Sequence, residues 1–288
     1  MTEPIRLPPA PQLDLATQPY DRWLDPDGGL IAEFHRRDGG FLLRFPGTAD
    51  FEIDAADHAV RARPVDAGAA AHAETLLRNA IAPVIANHRG ELNLHGSAVR
   101  VSEGRAAAFL GLSRRGKTTL AGAFARAGQP FLTEDVIRLE RTGNGFLVHP
   151  SRPELRLFPD SAAYLLGHDP ANAQDGAKAP IDAGQAIAFH DEPVPLCGIF
   201  VLGPGTAGEA TIERLSESAA LPALLPHSFL LDVEDRRRLK EHFLRLAVLT
   251  RDVPCYALDY PRLYDQLPKV IRRVTRLLEI AGCPDADG

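Results

Sequence analysis

Gly111-Leu112-Ser113-Arg114-Arg115-Gly116-Lys117-Thr118 matches the pattern G-x-x-x-x-G-K-[ST]. Glycines let such a loop turn its backbone N–H groups inward, where they converge on phosphate oxygens. A helix that starts directly after the loop aims its positive end at the same anion. The surroundings fit: the apolar run Ala106–Leu110 reads as a strand, and Lys117–Ala127, with Leu120 and Phe124, reads as a helix closed by Gly128. In this pattern Lys117 neutralises the β- and γ-phosphates and the Thr118 hydroxyl ligates magnesium. Ser113, Arg114, Arg115, Gly116 and Thr119 complete the expected nucleotide contacts together with Gly111. Arg114 and Arg115 stand where small residues are common. A side chain at a position of positive φ is strained, while a guanidinium there can add a phosphate contact or point to solvent.

Outward from the loop, Pro130–Thr133 reads as the next strand and ends at Glu134-Asp135. Alternation along a strand predicts that only one of these carboxylates faces the nucleotide. A carboxylate there can hold magnesium, activate water or accept a proton from a hydroxyl. His95, before Gly96-Ser97, lies at a strand break upstream of the loop.

Upstream, residues 1–28 are Pro-rich and read as a flexible tail. Short β-like runs follow at Leu30–Phe34, Phe41–Phe45, Phe51–Ile53 and Ala59–Ala62, separated by turn residues, then a helical period over Ala69–Asn87. Leu92–Leu94 and Ala98–Val101 read as two strands. Downstream, Val136–Leu139, Phe146–Val148, Leu196–Leu202, Thr211–Leu215 and Cys255–Leu258 read as strands. A short helix starts near Asp160, and further helices fall at Ala219–Leu225, Val233–Thr250 and Leu263–Ala281. Residues 169–185 lack periodicity and read as a loop. The expected organisation is a tail over 1–28, a β-rich segment plus helix over 29–90, and a nucleotide-binding core over 91–288.

The chain has 288 residues, 45% apolar and 24% charged, enough for a real core without staples. Its net charge of −6 (32 Lys and Arg against 38 Asp and Glu) lacks the basic excess of a dedicated nucleic-acid binder. The first residues contain no signal-like apolar region, and no run of 18 apolar residues offers a membrane span. Cys197, Cys255 and Cys283 are widely spaced, which predicts three thiols in a reducing cytoplasm and neither disulfides nor a zinc cluster.

Three stretches taken together, His95-Gly96-Ser97-Ala98-Val99, Gly111–Thr118 and Phe131-Leu132-Thr133-Glu134-Asp135, resemble the HPr kinase/phosphorylase family. The core of that family is similar to phosphoenolpyruvate carboxykinases. The resemblance implies a mixed α/β (α+β) fold with a P-loop core and a small N-terminal β-rich domain. It implies ATP and Mg2+ as cofactors, and assigns Lys117, Thr118, Asp135 (proton acceptor) and His95 (its partner) to catalysis or binding. Glu134 replaces the family's first Asp, and Arg114 replaces a loop glycine. Glu154-Leu155-Arg156 is similar to a Glu-[Ile/Val]-Arg element whose Glu binds magnesium, giving Thr118, Glu134 and Glu154 as the implied metal set.

The chain is most similar to the branch found with lasso-peptide clusters, through Leu43-Arg44-Phe45-Pro46-Gly47, Leu155-Arg156-Leu157-Phe158-Pro159-Asp160-Ser161 and Val253-Pro254-Cys255-Tyr256-Ala257-Leu258. That branch implies a cytoplasmic serine kinase of a precursor peptide, acting on its C-terminal serine, with a homo-oligomer as a further possibility. The alternatives are a P-loop NTPase, a small-molecule kinase, or a nucleotide-binding sensor without efficient catalysis.

Overall fold

The protein is described by a computed structural model covering residues 3–143, 145–167, 179–182 and 187–283. The fold is mixed α/β and divides into two compact units: Met1–Gly90 with Phe229–Lys240, and Glu91–Ser228 with Glu241–Gly288. The expected boundary near residue 90 therefore omits a later segment, Phe229–Lys240, which belongs to the N-terminal unit.

The N-terminal unit is a six-stranded sheet built from β1 (Ile5–Arg6), β2 (Asp21–Leu24), β3 (Leu30–Arg37), β4 (Gly40–Phe45), β5 (Ala49–Asp54) and β6 (Val60–Pro64), in the order β1-β6-β5-β4-β3-β2. The expected tail over 1–28 is thus corrected, because it supplies both edge strands. Local composition hides this, since proline is tolerated at sheet edges and the partners lie far along the chain. Leu7 and Ala10 donate backbone hydrogen bonds to Ala62 and Pro64. Gln12 Nε2 reaches Asp50 at 2.8 Å, and Arg44 Nη1 reaches the Leu13 carbonyl at 2.8 Å. Phe34, Leu43, Phe51 and Ile53 alternate inward along their strands and are fully buried.

The helical run after the sheet has three parts: α1 (Ala70–Leu76), a π-wound turn (Leu77–Ile81) and α2 (Ala82–His88). Pro83, at the start of α2, lacks an N–H and its ring crowds the carbonyl four residues back, which accounts for the wider turn before it.

The larger unit is built on an eight-stranded sheet. Its strands are β7 (Leu92–Ser102), β8 (Arg105–Leu110), β9 (Phe131–Thr133), β10 (Val136–Arg141), β11 (Phe146–His149), β14 (Val194–Leu202), β15 (Thr211–Arg214) and β16 (Cys255–Asp259). A separate pair consists of β12 (Glu154–Leu157) and β13 (Ala179–Asp182). β8 and β14 run parallel, as do β14 and β16, and β11 pairs with both β10 and β14. β7 is one long strand where two are expected. The strand runs on through Gly96, where a β-carbon would come within 2.6 Å of the Phe109 carbonyl on β8.

Both sheet faces are covered, and β8 shows why. Ala107 and Phe109 join the cluster containing α3 (Lys117–Arg126), α4 (Pro159–Leu166) and α7 (Leu267–Ala281). Ala106, Ala108 and Leu110 join the opposite cluster, with α5 (Glu217–Leu224) and α6 (Arg236–Asp252). A strand buried on both faces is a continuous apolar run, as Ala106–Leu110 is. α6 starts later than periodicity predicts because the Asp235 carboxylate caps it, accepting from the N–H groups of Arg237 and Arg238 at 3.0 Å.

Two further expectations need correction. Within the expected loop 169–185, Ala179–Asp182 forms β13 against β12, and the other residues lie outside the described ones. Cys197 and Cys283 form a disulfide across a sequence separation of 86, with Cα atoms 4.8 Å apart. Only the docking of the segment after α7 against β14 makes that pair. Cys255 stays a buried thiol, and burial pushes it up to about 12. Among the described residues, no helix is long and apolar enough to cross a membrane.

Candidate phosphate-binding site

The loop between β8 and α3 turns on three residues of positive φ: Gly111 (156°), Arg114 (63°) and Gly116 (86°). Two are glycines, which adopt this region without a β-carbon penalty. Arg114 adopts it at a cost of roughly 1–2 kcal/mol, so the loop keeps its path around an arginine. No side chain caps α3, whose N-cap is Gly116. Its first turn is presented to the cavity rather than to a neighbouring side chain, as anion binding requires.

That cavity, about 820 Å3, is contained in the larger unit. Of the residues singled out by sequence, His95, Ser113, Arg114, Gly116, Lys117, Thr118, Thr119 and Asp135 line it. Lys117 is 9% exposed, and its ammonium donates to the carbonyls of Gly111 (2.7 Å) and Leu112 (3.1 Å). The Thr118 hydroxyl donates to Glu134 Oε1 at 2.9 Å, while Glu134 Oε2 accepts from the Arg156 N–H at 3.2 Å. Arg115 is half-buried and does not line the cavity, whereas Arg114 is exposed and does.

Asp135 departs from the alternation that predicts a single inward carboxylate. It has φ of 64°, and the Val136 N–H bonds the Glu134 carbonyl at 2.8 Å across it. This is the hydrogen bond of a γ-turn with its central residue in the rare positive region. The turn resets the strand's alternation, so Glu134 reaches Thr118 while Asp135 lines the cavity. Short polar Asp tolerates this conformation better than most residues, and such outliers cluster at functional sites. Val136 pairs with His95 across β10 and β7, and the Gly96 N–H bonds the Asp135 carbonyl at 3.2 Å. His95 and Asp135 are thereby placed on one wall. Arg156 Nη1 lies 3.8 Å from Asp135 Oδ2.

Thr118 and Glu134 offer adjacent hard oxygen donors, the type magnesium prefers. Glu154, the third residue of the implied metal set, is not among the cavity-lining residues, and the described residues contain no group of three or more His, Cys, Asp or Glu placed to share a metal.

Sequence reasoning gave no role to several residues in or beside the cavity. His227, 4% exposed, lies close enough to Lys117 and His95 to feel both; burial first, then those charges, hold its imidazole down at about 4. Tyr260, Arg262, Tyr264 and Ser161 line the end of the cavity beside α3. Thr119 Oγ1 and Ser161 Oγ are 2.9 Å apart, and Tyr264 donates to Asp160 at 2.8 Å. Ser161 falls in the stretch Leu155–Ser161 quoted above, and Tyr260 and Arg262 closely follow an apolar run, where a strand end faces a site.

The structure is similar to a solved HPr(Ser) kinase/phosphatase from Coxiella burnetii over 66% of this chain and 99% of that one, at 10% identity and a TM-score of 0.40. No protein-family profile matches the chain. No curated protein matches it either. The functional reading therefore stands on the cavity and on the sequence motifs.

Proposed function

We propose that this protein is an ATP- and magnesium-dependent kinase that phosphorylates a serine hydroxyl of a peptide, with the C-terminal serine of a lasso-type precursor peptide as the leading substrate. The observation that carries the reading is the γ-turn that sets Asp135 into the same cavity as Lys117 and the uncapped start of α3. A phosphate loop alone supports nucleotide binding; a carboxylate held beside it in a strained conformation supports transfer to an acceptor. The motif resemblance to the HPr kinase/phosphorylase family points the same way.

In this reading the loop N–H groups and Lys117 hold the triphosphate, with Lys117 exchanging its two loop carbonyls for phosphate oxygens. Thr118 and Glu134 would hold magnesium, which screens the phosphate charge when bound. The serine oxygen attacks the γ-phosphorus, the bond to the ADP oxygen breaks, and Asp135 takes the hydroxyl proton. His95 orients Asp135 from the neighbouring strand, and Arg156 steadies it from the other side. Positioning contributes more than basicity, because the proton leaves late in a loose transition state.

The test is incubation with ATP, magnesium and a synthetic peptide ending in serine, read by mass spectrometry. One added phosphate on that serine is expected. Free phosphate with an unmodified peptide would instead identify an NTPase, and saturable ATP binding with no turnover would identify a sensor. Asp135→Asn is expected to lower turnover by roughly 10²–10⁴-fold while ATP still binds; retention of most activity would remove Asp135 as the proton acceptor.

A further inference from the structure

One end of the cavity has no part in the chemistry above, and its residues are arranged in an unusual way. Arg262 Cζ lies over the Tyr260 ring, 4.0 Å from its centroid. Its outer nitrogens are already engaged: Nη1 donates to the Tyr260 carbonyl at 3.0 Å and Nη2 to the Gly203 carbonyl at 2.7 Å. Asp259 lies 3.5 Å from Nη2 and is itself held by the N–H groups of the loop that begins at Gly205. The stem is pinched as well, because a β-carbon on Gly205 would come within 2.7 Å of Arg262 Cγ.

An arginine reads phosphate with its edge, through paired N–H donors. Here both outer nitrogens are held by carbonyls and a carboxylate, Nε is buried without a hydrogen bond, and one face is covered by Tyr260. The side chain is nevertheless 24% exposed and lines the cavity. What it offers to a ligand is therefore its remaining face. A guanidinium face is flat, weakly hydrated and stacks on π-systems. It lies beside the last glycine of the phosphate loop: a β-carbon on Gly116 would be 3.6 Å from the Tyr260 hydroxyl and 4.0 Å from Arg262 Cδ.

We propose that the Arg262 guanidinium, laid on Tyr260, is the platform on which the nucleobase stacks, with the triphosphate running from there along the loop toward Lys117. This rests on the reading of the cavity as an ATP site and names the subsite that recognises the flat ring of the nucleotide. The nearby Tyr264 hydroxyl gives that end a polar group for the edge of the base or the ribose.

The experiment compares ATP with inorganic tripolyphosphate, which has the phosphates and no base, by calorimetric titration with magnesium present. In Arg262→Ala, ATP affinity is expected to fall about tenfold, the size of one lost stacking contact, with tripolyphosphate within twofold of wild type. Normal tripolyphosphate binding also shows that the variant is folded. Arg262→Lys keeps the charge and loses the plane, so it is expected to behave like Arg262→Ala. Equal weakening of both ligands in the Lys variant, recovery of ATP affinity by lysine, or unchanged ATP binding in both variants would each overturn the stacking role. Failure of the wild-type protein to bind either ligand would instead overturn the ATP reading itself.

Discussion

In the N-terminal sheet Arg44 is clamped by both oxygens of Asp50, at 2.9 and 2.7 Å, and neither side chain is more than 17% exposed. Arg36 is likewise engaged by Asp232 at 2.7 Å and Glu234 at 3.0 Å. In the cavity of the larger unit the pattern changes. Lys117 donates to two backbone carbonyls, Arg262 to two more with Asp259 3.5 Å away, and Arg156 stands 3.8 Å from Asp135. A carbonyl carries no formal charge, so a phosphate oxygen can displace it from the Lys117 ammonium. The backbone differs in the same sense. Gly39 and Gly47 take the left-handed region in two of the sheet's turns and His58 in a third, whereas the site places two non-glycine residues there, Arg114 and Asp135. Closed ion pairs serve stability, whereas a carbonyl-held ammonium beside polar residues in strained conformations is the kind of arrangement that ligand sites use.

The contrast leads to opposite outcomes for two deletions of positive charge. Lys117→Ala is expected to weaken ATP binding on the order of 100-fold, the scale of one lost donor to phosphate, while urea denaturation moves little. Arg44→Ala is expected to do the reverse, lowering stability by about 2–3 kcal/mol because Asp50 is left largely buried with only the Gln12 amide as a hydrogen-bond partner, with ATP affinity unchanged by calorimetry. Should Lys117→Ala prove the more damaging to stability, the assignment of roles to the two regions would be wrong.

Buried imidazoles allow a subtler comparison. Burial, with nearby cations, holds both His88 in the N-terminal unit and His227 in the larger unit down at about 4. A folded-state value below the unfolded one near 6.5 means that the unfolded chain takes up the proton first. Each residue therefore contributes stability that is full above pH 6.5 and lost as the pH falls toward 4. The loss is on the order of 1–2 kcal/mol per histidine at pH 5, measurable by denaturation at successive pH values. Because Lys117 is among the charges that lower His227, ATP should raise the titration of His227 and leave that of His88 in place, as followed by NMR. The smallest effect is expected of Arg114→Gly: relief of the left-handed arginine, partly offset by glycine's added freedom in the unfolded chain, should stabilise by less than about 1 kcal/mol. ATP affinity should stay within a few-fold. A large loss of affinity would show that the Arg114 guanidinium contacts the nucleotide.

Much of the loop between β8 and α3 was legible in the chain because its determinants are contiguous. An apolar strand, glycines at the turns, and a helix starting at Lys117 all act on backbone within about ten residues. Asp135 was legible as a candidate, but its orientation was not. Alternation assumes regular strand geometry, and the positive φ at Asp135 comes from fitting β9 and β10 to the same edge of β7. Arg262, Tyr260 and His227 carried no motif, since they are brought against residues 110 (His227 to Lys117) to 146 (Arg262 to Gly116) positions away.

The same reasoning divides the molecule as a whole. Local pattern determined the strand–loop–helix unit, the meander of β3 to β6, and most helices, because periodicity and turn chemistry are properties of neighbouring residues. Tertiary structure alone decided that the Pro-rich start becomes two edge strands, that Cys197 meets Cys283, and that Glu134 reaches Thr118 while Asp135 lines the cavity. Each of those depends on a partner far along the chain, and a pairing of that kind forms only when burial of the whole core offsets the entropy of closing the loop between the two.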